Sequence, residues 1–164
     1  MADASNVHFV YGLSVYLAGI LFRLSWIDVK TLRLPDIFTL PLIILGLGLS
    51  WVMPEPGFQP RVIGAAAGFL SLALIGELYF RRTGVEGLGL GDAKLFAASG
   101  AWLGWQALPQ VLLIASLTGL FYVGLFRRGK RETAIAFGPL LALGFMACWI
   151  TQMVPASAWI FRAP

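Results

Sequence analysis

The chain has 164 residues, of which 59% are hydrophobic and only 12% are charged, and its formal net charge is +4. Soluble domains carry about 25% charged residues, so this composition excludes an ordinary soluble domain and indicates a membrane protein. A positive charge is also compatible with a nucleic-acid partner. Here the twelve basic residues lie mostly in short loops between apolar runs, which indicates orientation in a lipid bilayer and no nucleic-acid partner.

Six apolar runs follow one another, at residues 9–27, 37–53, 62–80, 95–108, 111–126 and 134–154. A membrane-spanning helix needs roughly 17–25 residues, so the fourth and fifth runs are short. Together they exceed one span, and residues 105–110 supply a turn between them. The fourth helix is expected to begin before its apolar run and to include residues 92–94. We predict an all-α polytopic membrane protein with about six transmembrane helices in a single domain, 1–164; five spans is the competing interpretation.

Basic residues are unevenly distributed between the two sides of this topology. Nine lie in the first, third and fifth loops, against Arg61 and Arg162 on the opposite side and Arg23 inside the first run. Cytoplasmic loops carry the excess of Lys and Arg, so we predict that these three loops are cytoplasmic and both termini are outside. The nine are Lys30, Arg33, Arg81, Arg82, Lys94, Arg127, Arg128, Lys130 and Arg131.

Two acidic residues lie next to apolar runs: Asp28 at the end of the first and Asp92 beside the fourth. A carboxylate near hydrocarbon is costly unless it is paired or used, so each is a candidate functional residue. The topology places both near the cytoplasmic interface. Two acids brought close cannot both ionise cheaply, so one acts as a base and the other keeps a proton. Such a pair can activate water against a peptide bond, which indicates an aspartic protease.

Glycines punctuate the sequence in two distinct ways. Three alternate before Asp92, at 87, 89 and 91, where they disfavour regular helix and allow close backbone approach. An extended peptide could pair with such a segment. Without Asp92 beside it, a loose loop between helices would be the favoured interpretation. Elsewhere, the spaced pairs Gly64/Gly68 and Gly100/Gly104 form small-xxx-small patterns, which predict close helix packing and carry no chemistry.

The remaining polar residues support weaker predictions. Asp36 follows a proline at the start of the second run and is a plausible N-cap. Glu77 precedes Arg81 by four residues, the spacing of a helical ion pair; the alternative is a polar contact inside the bundle. Lys30 is interpreted as an interfacial charge and Arg23 as a residue that extends to the interface. One histidine and one cysteine, His8 and Cys148, provide no metal-binding cluster.

Three blocks of sequence resemble the type IV prepilin peptidase family. They are Ile-Asp-Val-Lys-Thr-Leu-Arg-Leu-Pro-Asp at 27–36, Gly-Leu-Gly-Leu-Gly-Asp-Ala-Lys-Leu at 87–95 with Gly-Ala-Trp-Leu-Gly at 100–104, and Phe-Gly-Pro-Leu-Leu-Ala-Leu-Gly at 137–144. By this resemblance, Asp28 and Asp92 match the catalytic aspartates. The residues that it implies in substrate binding or support are Gly89, Gly91, Lys94, Asp36, Gly138 and Pro139.

The resemblance implies an aspartic endopeptidase of the bacterial inner membrane. It would cut the basic leader from type IV prepilins or prepilin-like proteins on the cytoplasmic side, after a glycine, without metal or cofactor. Larger members carry an N-terminal region, often with paired cysteines, linked to methylation of the new N-terminus. This chain begins eight residues before its first run and lacks those cysteines, so peptidase activity alone is expected.

Two other functions stay open at this point. In a small proton-coupled transporter, the two acids would relay protons, although transporters often show paired repeats and no convincing repeat is present here. In a noncatalytic assembly factor of a pilus or secretion system, the chain would bind a prepilin without cutting it.

Overall fold

The computed structural model describes residues 4–53, 55–85, 87–126 and 136–153. Within these ranges the chain forms six α-helices and no β-strand, so the predicted all-α fold is confirmed. Five of the basic residues counted above lie outside the described residues: Arg127, Arg128, Lys130, Arg131 and Arg162. The helices are α1 (Ala4–Thr31), α2 (Asp36–Gly48), α3 (Phe58–Thr83), α4 (Leu90–Leu103), α5 (Leu108–Phe126) and α6 (Gly138–Met153), with short 3-10 helices at Leu49–Trp51 and Trp105–Ala107.

Three described helices are long and apolar enough to cross a membrane: His8–Thr31, Phe58–Thr83 and Trp105–Leu125. Their surfaces carry large exposed apolar side chains, for example Phe22 and Leu120. Contiguous apolar surface of this kind is rare on soluble monomers, and lipid covers it favourably. Shorter apolar helices at Asp36–Trp51 and Gly138–Met153 accompany them. The chain is an all-α membrane protein.

Helix α4 is the centre of the bundle. Ala93 and every residue from Leu95 to Leu103 are buried, and the helix packs against α3, α2 and α6. Near the C-terminal end of α4, the ring of Trp102 makes edge-on contacts with Phe145 and Trp149, with centroid distances of 6.1 and 5.2 Å. Because neighbouring helices enclose α4 on several sides, its packing is with protein rather than with lipid.

Close approach between α3 and α4 depends on glycine. A Cβ atom added to Gly64 would lie 2.5 Å from the carbonyl oxygen of Gly100, and one added to Gly68 would lie 2.8 Å from that of Phe96. No real side chain tolerates such contacts, so the two helices pack backbone to backbone. The close packing predicted from the small-xxx-small patterns is confirmed for Gly64, Gly68 and Gly100.

The predicted boundary between the fourth and fifth helices is wrong by several residues. The fourth helix does begin before its apolar run, as predicted, since α4 starts at Leu90. It ends at Leu103 because Gly104 adopts a positive φ of 81°. The fifth starts at Leu108, inside the predicted turn. Pro109 does not prevent this, because a proline in the first turn removes only an N–H that has no helical partner.

Arg61 has a structural position that the sequence did not indicate. Its side chain is only 1% exposed. Nη1 donates hydrogen bonds to the carbonyl oxygens of Gly46, Ala101 and Trp102, at 3.1, 3.3 and 2.7 Å, and Nε donates to that of Pro56 at 2.8 Å. The guanidinium thereby satisfies carbonyls in the last turns of α2 and α4, where helices leave these groups unpaired.

Candidate active site

Asp28 and Asp92 line the same cavity of about 300 Å³ at one end of the bundle. Asp28 lies in the last turn of α1, because that helix continues to Thr31 rather than ending with the apolar run. Asp92 lies in the first turn of α4. Tertiary packing thus brings together two carboxylates that the sequence separates widely.

The carboxylate of Asp28 is almost completely buried and is held by α6. The side chain is 4% exposed, and its Oδ2 accepts a 2.9 Å hydrogen bond from the backbone N–H of Gly138. Gly138 is the first residue of α6, and the free N–H groups of a helix N-terminus stabilise negative charge. A Cβ at position 138 would lie 2.7 Å from Oδ2, so only glycine allows this approach.

Asp92 has a different environment. Its Oδ2 accepts a long 3.4 Å hydrogen bond from the N–H of Gly89, the residue before α4, as acids in a first helical turn often do. Its Oδ1 is buried and has no hydrogen-bond partner among the described residues. A buried carboxylate oxygen without a donor is costly, so this atom favours the protonated acid or a donor supplied by a ligand.

The glycine-rich segment forms part of the cavity wall. Gly89 has an extended backbone, with φ −79° and ψ 149°, whereas Gly91 already belongs to α4. A Cβ on Gly91 would lie 2.8 Å from Cβ of Leu34, so the glycine lets the α1–α2 linker pack directly on the start of α4. Both glycines line the cavity.

Asp36 and Lys94 also line the cavity and pair with each other, with 2.6 Å between Lys94 Nζ and Asp36 Oδ1. The prediction that Asp36 caps α2 is wrong. Pro35 occupies the N-cap position, Asp36 is the first helical residue, and no side-chain cap is present. The carboxylate turns to the ammonium of Lys94 instead.

The last two candidates, Gly138 and Pro139, begin α6. Gly138 contacts Asp28 as described above. Pro139 is not among the described residues that line the cavity; it lies in the first helical turn, where its missing N–H has no cost.

Three other charged residues make local contacts outside the aspartate cavity. Glu77 and Arg81 form the predicted ion pair at 2.6 Å, with both side chains largely exposed, so the alternative of a contact inside the bundle is wrong. The ammonium of Lys30 lies 4.5 Å from the centroid of the Trp26 ring. Within the described residues, no group of three or more His, Cys, Asp or Glu could hold a metal ion.

A second cavity of about 550 Å³ lies on the other side of the glycine-rich segment. Gly89 and Leu90 line both cavities. Ala73 and Phe80 from α3 contribute apolar side chains to the wall of the second cavity, and Glu77 adds a carboxylate. Because the two cavities share lining residues, an extended chain bound at the two aspartates would lie next to this partly apolar wall.

Comparison with known proteins identifies the family. A sequence model of the "Type IV leader peptidase family" matches residues 15–124, a range that contains Asp28, Asp92 and the other residues lining the aspartate cavity. No solved structure matches the chain significantly.

Several curated relatives carry the name "Prepilin leader peptidase/N-methyltransferase". The one from Pectobacterium carotovorum subsp. carotovorum is 48% identical over 135 residues, which are 80% of this chain and 48% of the relative. Those from Dickeya chrysanthemi and Escherichia coli (strain K12) are 48% and 46% identical, over 76% and 82% of this chain and 45% and 60% of their own lengths. The chain spans about half the length of the first two relatives. It belongs to the type IV leader peptidase family.

Proposed function

We propose that this chain is a membrane aspartic endopeptidase that cleaves the leader peptide from prepilins or prepilin-like proteins. The observation that carries the proposal is the shared cavity lined by Asp28 and Asp92, which come from α1 and α4. Family membership and the names of the relatives supply the substrate class.

The two carboxylates have unequal environments, which supports a division of roles. Asp28 receives the Gly138 N–H at the positive end of α6, which favours the ionised form. Asp92 has a buried oxygen that finds no hydrogen-bond donor among the described residues, which favours the protonated form. We therefore assign Asp28 as the base and Asp92 as the acid of the resting pair. As the groups titrate together, this describes the favoured microstate of the pair.

The reaction needs only water in addition to these groups. Asp28 takes a proton from water as the water oxygen bonds to the peptide carbonyl carbon, while protonated Asp92 donates to the carbonyl oxygen. When the tetrahedral intermediate collapses, the C–N bond breaks and the proton held by Asp28 passes to the leaving amine. The carbonyl forms again and Asp92 recovers its proton. The enzyme ends in its starting protonation state.

The site faces the cytoplasm of the bacterial inner membrane in this proposal, with both termini outside. Support comes from basic residues at the cavity end of the bundle, including Lys30, Arg33 and Lys94, the last two of which line the cavity itself. A basic leader would lie at this aqueous surface. The apolar stretch that follows the cut would lie in the cavity beside Phe80 and Leu90, within reach of the lipid phase.

The test is cleavage of a purified prepilin by the purified chain in detergent, followed by mass spectrometry of both products. Asp28→Asn and Asp92→Asn are each expected to abolish the cut while the protein keeps its thermal stability. Glu55→Gln, an exposed acid outside the cavity, is the matched control and is expected to cleave normally. Retained cleavage by either aspartate variant would overturn the proposal, and an intact prepilin with wild-type enzyme would favour a transporter or an assembly factor.

A further inference from the structure

The ion pair between Asp36 and Lys94 borders the cavity, yet hydrolysis does not use it. Nζ of Lys94 lies 2.6 Å from Oδ1 of Asp36, and the side chains are 25% and 56% exposed. Exposed ion pairs contribute little to overall stability. The placement of this pair is more informative than its energy, because it joins the first turn of α2 to the beginning of α4, two residues after Asp92.

The linker between α1 and α2 is held at a second point. Only residues 32–35 separate the two helices. Leu34 is buried, and it packs so closely on Gly91 that a Cβ there would lie 3.2 Å from the Leu34 backbone nitrogen. Leu32 has a positive φ of 52°, a conformation that L-residues with large side chains adopt only where surrounding contacts enforce it.

These contacts are important because the two carboxylates belong to differently packed helices. Asp28 is carried by α1, which packs mainly on α6, whereas Asp92 is carried by α4, which packs mainly on α3 and α2. Leu32 follows Asp28 by one helical turn, and its N–H donates to the Asp28 carbonyl at 2.8 Å. Fixing the linker on α4 therefore fixes the last turn of α1, and with it Asp28, relative to Asp92.

We propose that Leu34, Asp36, Gly91 and Lys94 form a linker clamp that sets the approach of Asp28 to Asp92. The proposal rests on the peptidase function proposed above. Asp36 and Lys94 are positioning residues in this clamp: they act on the reaction through the two aspartates and do not touch the reacting atoms.

A substrate-binding role for Lys94 makes different kinetic predictions. Loss of a substrate contact raises KM, whereas a misplaced catalytic pair lowers kcat. A small displacement of a catalytic group lowers the reaction rate strongly. Lys94→Met and Asp36→Asn are therefore each expected to lower kcat at least about tenfold with KM nearly unchanged. Because the two residues act as one unit, the double variant is expected to be no worse than the worse single variant.

The control removes a basic side chain that lies outside the clamp and outside both cavities. Arg82→Met removes an exposed guanidinium and is expected to leave kcat unchanged. Additive losses in the double variant, or a rise in KM with kcat unchanged, would overturn the clamp.

A second measurement does not need enzymatic activity. In a Cys148→Ala background, Asp28→Cys and Asp92→Cys provide two thiols in the cavity for a short bifunctional thiol reagent. The cross-linking rate is normalised to the reaction of each single cysteine with N-ethylmaleimide. Adding Lys94→Met is expected to lower the normalised rate several-fold, and an unchanged rate would overturn the clamp. If the wild-type chain fails to cut any prepilin, the proposed function fails, and the cross-linking result still decides on the clamp.

Discussion

The backbone N–H of Gly138 donates a 2.9 Å hydrogen bond to Oδ2 of Asp28, so the start of α6 supports a carboxylate that is carried by α1. The two residues are 110 positions apart in sequence. This contact makes the environments of the two aspartates unequal, since Oδ1 of Asp92 has no partner among the described residues. A symmetrical pair would give no reason to assign one acid and one base.

Gly138→Ala is expected to lower kcat by about 10- to 100-fold, because displacement of a catalytic group by 1 Å can cost 10²-fold in rate. The new Cβ would lie 2.7 Å from Oδ2 of Asp28, so the carboxylate must move. Gly19→Ala in α1 is the control, because a Cβ there meets no atom of the described residues within 4 Å. Steady-state cleavage of a prepilin peptide measures both. Full activity of Gly138→Ala would contradict the role of this contact.

Gly100→Ala is expected to destabilise the fold by about 1–3 kcal/mol, the usual cost of overpacking a core. The added Cβ would collide with the backbone of Gly64 on α3. A backbone atom cannot relieve this contact by a change of rotamer, as a side chain could. Thermal unfolding in detergent is the measurement. Gly12→Ala should lose no stability, because a Cβ there meets nothing within 4 Å in the described part of the chain. Equal stability of the two variants would show that α3 and α4 are not in backbone contact.

Arg61→Met is expected to destabilise the fold by about 1–3 kcal/mol or more, because it leaves buried carbonyl groups without a donor. The affected acceptors are in the last turns of α2 and α4, at Gly46 and Trp102. Arg81→Met removes a guanidinium that pairs only with exposed Glu77 among the described contacts, and exposed pairs contribute roughly 0–1 kcal/mol. The expected order of melting temperatures is therefore wild type, then Arg81→Met, then Arg61→Met. The reverse order of the two variants would contradict the capping role.

Ala73→Trp is expected to raise KM about tenfold with little change in kcat, because loss of an apolar contact in a binding site costs about 1–3 kcal/mol. Ala73 lines the second cavity, and an indole there would occupy the space proposed for the apolar stretch of the substrate. Leu74→Trp is the matched control, because Leu74 is 60% exposed and does not line that cavity. Unchanged KM in Ala73→Trp would place the substrate elsewhere.

Much of the architecture could be predicted from the sequence because its signals are local. The hydropathy of each apolar run predicted a helix, and all six predicted helices are present. The small-xxx-small patterns predicted the close packing of two helices at Gly64 and Gly100. Helix ends were predicted less accurately. Gly104 ends α4 through its positive φ, and a sequence alone does not tell which of several glycines adopts that conformation.

Partners that are distant in sequence were decided only by the tertiary structure. Asp36 was predicted as a cap and instead pairs with Lys94, and Arg61 was counted as a loop charge and is instead buried. The sequence by itself determined that this chain is helical, enters a membrane and carries two acids beside apolar runs. Which groups meet those acids depends on how the helices pack, because a hydrogen bond or an ion pair requires a position and a direction in space that no short stretch of sequence defines.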